Sequence, residues 1–450
     1  MPDAGFLKDA GHDPASPAVF DGNTGEWLTR GELTRRVKDA AARLAFPGKA
    51  LVLLFAANDV ESLVAYLAAL QAGHAVAMLN PDLDDALRAR LISIFQPDFI
   101  AAPGQALLRT DASNRCPIHP DLALLISTSG STGSPKLVRL SWSNLESNAR
   151  QIVQALRHTG QDRTMVTAPI FSAYGSSLLH TMLLAGGSFA LTHARVVSRE
   201  FWDVARQAEC NVIGGTPFFY QTLDRLDVDW LNVPRIRKFL QAGGAMPEHL
   251  ARKFHDIAQA RGGELHLMYG QAEAAARIST LPPELLPDAC ASVGFALPGG
   301  ELWIEAGELI YRGPNVMMGY ATRREDLGKG DELGGVVATG DLGYRDHRGL
   351  FYITGRKSRF VKLYGWRVSL DEVEQLLAPA TVAAVNHGDR LLLYAEQPGA
   401  AFSDAVDRLA GRLNLHRAGF EIRAIDALPR LANGKIDYQS LTRAVQAATR

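Results

Sequence analysis

Between residues 124 and 138 the chain reads LLISTSGSTGSPKLV, an apolar run that gives way to small hydroxyl and glycine residues and then to Lys136. Glycines let the backbone approach a ligand closely, successive N–H groups and Ser/Thr hydroxyls can hold phosphate oxygens, and a lysine supplies the countercharge. The chemistry on offer is phosphate binding, with a plain surface loop as the competing reading. A P-loop NTPase is disfavoured, because Lys136 is followed by Leu137 rather than Ser or Thr. Four more groups of this kind follow: Gly243-Gly244-Ala245, Tyr269-Gly270 with Glu273, Thr339-Gly340-Asp341, and Asn433-Gly434-Lys435. Taken singly, each reads as an ordinary turn, a packed aromatic or a solvated lysine.

The elements around them have a regular order. LVLLF (51–55) precedes VESLVAYLAAL (60–70), LALLIS (122–127) precedes NLESNARQIVQAL (144–156), and VIGGTP (212–217) precedes FFYQTLDRL (218–226). Strands alternating with helical segments predict an α/β fold, a mostly parallel sheet covered by helices on both faces. In such sheets ligands bind beyond the carboxyl ends of the strands, where the glycine-bearing segments fall. After about Ser292 short extended runs separated by glycines predict a β-rich region. FVKL (360–363), LDEVEQLL (370–377), RLLLYAE (390–396) and DAVDRLAGRL (404–413) then predict a small α+β domain. The expected division is 1–357 and 358–450, at the basic stretch Arg356 to Arg359.

Thr128-Ser129-Gly130-Ser131-Thr132-Gly133-Ser134-Pro135-Lys136 resembles the ATP signature of the adenylate-forming enzymes, the superfamily of acyl-CoA synthetases, carrier-loading adenylation domains and luciferases. The resemblance runs in order from TRGELTRRVKDAAARL (29–44) to LANGKID (431–437), and the ordered set is more specific than any member of it. It implies ATP and Mg²⁺ as cofactors, with Lys136 on the β- and γ-phosphates, Tyr269 and Gly270 beside the adenine, and Glu273 on Mg²⁺. A single hard carboxylate suits a Mg²⁺ bound together with phosphates. Gly243-Gly244-Ala245 matches the turn beside the adenine and the acyl group, Asp341 the ribose carboxylate, and Arg356 its arginine partner. Lys435 matches the C-terminal catalytic lysine, which would stabilise charge at the α-phosphate. Gly365, in Lys362 to Arg367, matches the segment lining the channel for a pantetheine arm, and Ser172, Ala173 and Tyr174 fall in the substrate pocket.

The implied reaction is activation of a carboxylic acid to an acyl-adenylate with release of pyrophosphate, then transfer to a thiol. The acceptor is CoA or the phosphopantetheine of a carrier protein, and the short C-terminal domain tilts toward the carrier. No aspartate stands near Ser172 to Gly175 to pair with an ammonium group, which favours a neutral aliphatic or aromatic acid over an α-amino acid. An amino-acid-activating enzyme, an amide- or ester-forming enzyme and a non-catalytic nucleotide-binding homologue are the other readings. Ala272, Leu137 and Ser358 depart from the family pattern, as does Ser172, where many acyl-CoA synthetases have histidine; Lys136, Glu273, Asp341, Arg356 and Lys435 keep to it.

Bulk properties agree with a soluble enzyme. In 450 residues, 47 Lys and Arg stand against 48 Asp and Glu, which removes the electrostatic argument for nucleic-acid or anionic-membrane partners. Cys116, Cys210 and Cys290 are far apart, without a zinc or disulfide pattern, and a cytoplasmic setting is expected. The N-terminus does not read as a secretory signal, and no membrane span is expected; Ser176 to Thr192 should be a buried helix followed by a strand.

Overall fold

A computed structural model describes residues 12–110, 116–127, 136–226, 233–363, 366–378, 380–388, 390–413, 415–431 and 434–448. The chain divides into two compact units, one of residues 1–302 and 311–337, the other of 303–310 and 338–450. The boundary expected at 357/358 lies inside the second unit, which also takes the strands Glu308–Arg312 in part, Val336–Arg345 in most of its length and Phe351–Arg356.

The first unit holds two sheets. One runs in the order Gly319–Ala321, Leu137–Ser141, Leu122–Ser127, Ala75–Leu79, Leu51–Phe55, Phe99–Ala101, Leu108–Arg109. Its central strands are parallel, and all five residues of Leu51–Phe55 are buried. Such continuous apolar strands belong to a sheet covered on both faces, where each buried Leu or Val contributes roughly 1.5–3 kcal/mol. Leu137–Ser141 returns antiparallel on Leu122–Ser127, and Gly319–Ala321 pairs antiparallel with it in turn.

The second sheet contains parallel strands Pro17–Asp21, Ser188–Leu191, Arg163–Met165, Val212–Gly215, Lys238–Gln241 and Glu264–Tyr269, continued antiparallel by Ser279–Leu281 and Ser292–Ala296. Helices Val60–Gln71, Trp142–Ala155 and Ala173–Ala185 start at polar caps: Asp59, Ser141 and Ser172 each accept a backbone N–H of the first turn. Such caps satisfy donors that a helix start leaves open. The expected helix and strand within 176–192 are present as Ala173–Ala185 and Ser188–Leu191.

In the second unit Val336–Arg345 pairs antiparallel with Phe351–Arg356. A three-stranded sheet of Val382–His387, Arg390–Glu396 and Phe420–Ile425 packs with helices Leu370–Leu376 and Ala400–Arg412 around Val373, Leu391, Leu393, Val406 and Phe420. The architecture is the expected α/β body with a small α+β C-terminal part. Among the described residues no helix is long and apolar enough to cross a membrane, and all three cysteines are free.

Candidate active site

Thr128, Ser129, Gly130, Ser131, Thr132 and Gly133 lie outside the described residues, as does Gly365. Lys136, at the loop's end, is described. Its ammonium stands over the ring of Tyr320, 3.4 Å from the centroid, and the Tyr320 hydroxyl donates to Glu273 Oε1 at 2.9 Å. The two residues expected on phosphate and on Mg²⁺ are thus joined through a tyrosine that the sequence reading did not single out. Burial, then the adjacent Glu273 charge and the bond to it, hold the Tyr320 proton well above the usual phenol range. Tyr320 therefore stays a donor at neutral pH.

This row is fixed from behind by Arg139, a wholly buried side chain on the Leu137–Ser141 strand. Its guanidinium donates to the carbonyls of Met318 (3.1 Å), Tyr320 (3.2 Å) and Gly330 (3.3 Å), and also to Lys329 O and to Glu332. Leu137, a departure from the family pattern, is 2% exposed and packs with Leu125, Met318 and Leu327. Its role is core packing beside the loop lysine.

Tyr269 ends its strand, and Glu273 sits in the short 3-10 turn Ala272–Ala274. Gly270 is needed there because a Cβ would fall 2.0 Å from the Ala276 carbonyl oxygen. The chain doubles back at Ala275 (φ +52°) and Ala276 (φ +122°), the latter an unfavourable value for an L-residue. Glu273 Oε1 is occupied by Tyr320, and no bond to its second oxygen is seen among the described residues. No group of three or more His, Cys, Asp or Glu is arranged for a metal among those residues. A lone carboxylate fits Mg²⁺ that draws its other ligands from phosphate and water.

Gly243, Gly244 and Ala245 follow the Lys238–Gln241 strand, with Gly244 O held by Gln241 Nε2 at 2.8 Å. The Ser172 hydroxyl donates to Pro169 O (2.7 Å) and accepts from Gly175 N (3.0 Å), so it serves as a helix cap. Ala173 packs against the core. Tyr174 faces Arg277, which the sequence reading missed: the guanidinium lies 4.3 Å from the ring centroid.

Arg277 is 3% exposed, and its other polar contacts are Met268 Sδ and the Ala276 carbonyl, both at 3.4 Å. Burial pulls its pKa down to about 10, with Tyr174 pushing the other way, so it is still charged at neutral pH. Taking an ion out of water costs several kcal/mol, whereas a cation–π contact returns roughly 0.5–2 kcal/mol. No carboxylate offsets the difference among the described residues.

The second unit carries the remaining candidates. Asp341 and Arg356 are cross-strand partners, and Arg356 Nε donates to Asp341 Oδ1 at 3.1 Å. The aspartate side chain is 4% exposed and the arginine 54%. Thr339 Oγ1 donates to Leu309 O (2.7 Å) and accepts from Asp341 N (3.1 Å), which shapes the turn at Gly340 (φ +76°). Lys435 lies in a hairpin closed by Leu431 N to Lys435 O and Gly434 N to Leu431 O, both 2.8 Å, and by the Arg430–Ile436 bridge.

The chain is 28% identical over 334 residues to 2-succinylbenzoate–CoA ligase of Bacillus subtilis, a match covering 70% of this chain and 67% of that one. It is 28% identical over 348 residues to medium-chain fatty-acid–CoA ligase of Escherichia coli, covering 70% of this chain and 60% of the relative. The chain thus spans about two thirds or less of these relatives' length. The crystal structure of ATP-bound MatB from Rhodopseudomonas palustris superposes with a TM-score of 0.81 over 100% of both chains at 22% identity, a likeness of fold. The model of the AMP-binding enzyme family matches residues 6–321, more than half of the sequence. With Lys136, the Gly243–Ala245 turn and the tyrosine-held Glu273 inside that span, the chain belongs to the AMP-binding enzyme family.

Proposed function

We propose that this protein uses MgATP to activate a carboxylic acid as an acyl-adenylate, releasing pyrophosphate, and then passes the acyl group to a thiol. The observation that carries the reading is the Lys136–Tyr320–Glu273 row, in which one tyrosine takes a cation over its ring and donates its hydroxyl to a carboxylate. Mg²⁺ would supply charge neutralisation on the phosphates. Lys136 and the 128–133 loop would hold the β- and γ-phosphates, Glu273 the metal, and Tyr269 with the Gly243–Ala245 turn the adenine. Asp341, braced by Arg356, would accept from the ribose hydroxyls.

Lys435 would act at the α-phosphate as the carboxylate attacks, where a preorganised cation stabilises the developing charge. Residues 358–450 would move about Ser358 to present Gly365 and the thiol channel in the second step. The two relatives described above are named as CoA ligases, which favours CoA as acceptor over the carrier protein toward which the short C-terminal part tilts.

The test is carboxylate-dependent ATP–pyrophosphate exchange across fatty, aromatic, hydroxy, dicarboxylic and amino acids. Lys435→Ala should abolish exchange and leave ATP binding intact; normal turnover by that variant would remove Lys435 from the mechanism.

A further inference from the structure

The Arg277 main chain is pinned on both sides. Asn148 Nδ2 and Asn315 Nδ2 each donate to Arg277 O at 2.9 Å, and Arg277 N donates to Asn148 Oδ1 at 3.3 Å. The guanidinium therefore has a fixed station against Tyr174. The Tyr174 hydroxyl is itself buried and has no hydrogen-bond partner among the described residues. It lies 2.7 Å from where a Cβ on Gly214 would stand, so any larger residue there would crowd it. Two buried donors, one of them charged, are thus gathered beside the Ser172–Tyr174 segment, and among the described residues they meet only the two 3.4 Å contacts of Arg277 and no carboxylate.

We propose that Arg277 and Tyr174 bind a carboxylate at the far end of the substrate, so that the acid activated is a dicarboxylic acid. This rests on the acid-activation reading and narrows it. A carboxylate is an acceptor with two oxygens, the shape that a planar guanidinium grips, and a phenol hydroxyl can add a third bond. An ammonium group here would meet a buried like charge, and a purely apolar tail would leave the guanidinium unpaired. The neutral acid expected from the lack of a nearby aspartate thus gives way, on this proposal, to an anionic one, and the preference over an α-amino acid is kept.

The experiment uses hydrolysis-resistant acyl-sulfamoyl adenosines of equal chain length, one series ending in carboxylate and the other in methyl, titrated calorimetrically into the full-length enzyme. The carboxylate series should include a member that binds roughly 10–150-fold tighter than its methyl counterpart, the range for hydrogen bonds to charged groups. Arg277→Leu should erase that ratio, Arg277→Lys should leave part of it, and Tyr174→Phe should reduce it. Methyl-ended analogues binding as well or better at every length would overturn the proposal from the wild-type enzyme alone, whether or not a variant folds. An undiminished ratio in Arg277→Leu would also overturn it. If no analogue of either series binds, the acid-activation reading fails and this inference with it.

Discussion

Replacing Tyr320 with phenylalanine separates its two contacts. The ring under the Lys136 ammonium stays, whereas the 2.9 Å bond to Glu273 is lost. A hydrogen bond to a charged acceptor is worth about 1.5–3 kcal/mol, and the partial exposure of Tyr320 and Glu273 puts this one at the lower end. About 1.5 kcal/mol corresponds to roughly tenfold. Tyr320→Phe should therefore lower the exchange rate at limiting Mg²⁺ about tenfold and raise the Mg²⁺ concentration needed for half-maximal rate, with protein stability nearly unchanged. Tyr320→Leu also removes the cation–π contact, worth roughly 0.5–1 kcal/mol at a half-exposed site, and should fall a further two- to fivefold. The assay is exchange at saturating ATP and acid with Mg²⁺ varied, repeated in a Glu273→Gln background. If the hydroxyl acts through Glu273, Tyr320→Phe has little added effect there. An unchanged Mg²⁺ dependence, or an equal loss in both backgrounds, would refute the reasoning.

Two further outcomes concern stability. Asp326 is pushed up by burial, but the amide and hydroxyl of Thr322 and the Lys329 ammonium outweigh that and bring its pKa from 3.8 to about 2. A depressed folded-state pKa gives stability that is present above the unfolded value and lost as pH falls through the folded one. The Tm of wild type should thus drop more steeply between pH 4 and pH 2 than that of Asp326→Asn, and parallel profiles would contradict the assignment. Ala276→Gly relieves the +122° φ at a cost in unfolded-state entropy, for a net gain of roughly 1 kcal/mol. Its Tm should rise, and a fall would mean that the alanine methyl packs productively.

Lys136, Glu273 and Asp341 were legible as candidates in the sequence because each stands in a short motif with a glycine close by. Tyr320 could not, because its position depends on a strand pairing that brings it opposite Val138. Arg277 reads as a surface residue in AAARIST; what buries it is the capture of its main chain by Asn148 and Asn315. Local signals gave the strands at 360–363 and 390–396 correctly, since short apolar runs there are bounded by polar residues. The helix expected at 404–413 begins at Ala400, where Gly399 offers no side-chain cap to mark the start. Strand order within each sheet lies beyond local pattern altogether, because it is fixed by which apolar faces meet.

The reach of Arg139 also bears on how the protein is made. Its side chain is satisfied by carbonyls of 318–330, close to two hundred residues downstream. Contacts of such long sequence separation form late, after their loop-closure entropy has been met. While the chain is being synthesised, the strand Leu137–Ser141 is an unfinished sheet edge holding an unpaired arginine, until the segment around 320 emerges. The Lys136–Tyr320–Glu273 row is therefore assembled near the end of the first unit's synthesis, and on the proposed function a nascent chain shorter than that should hold no ATP. During that interval a chaperone that shields exposed edges would have its natural target at Leu137–Ser141.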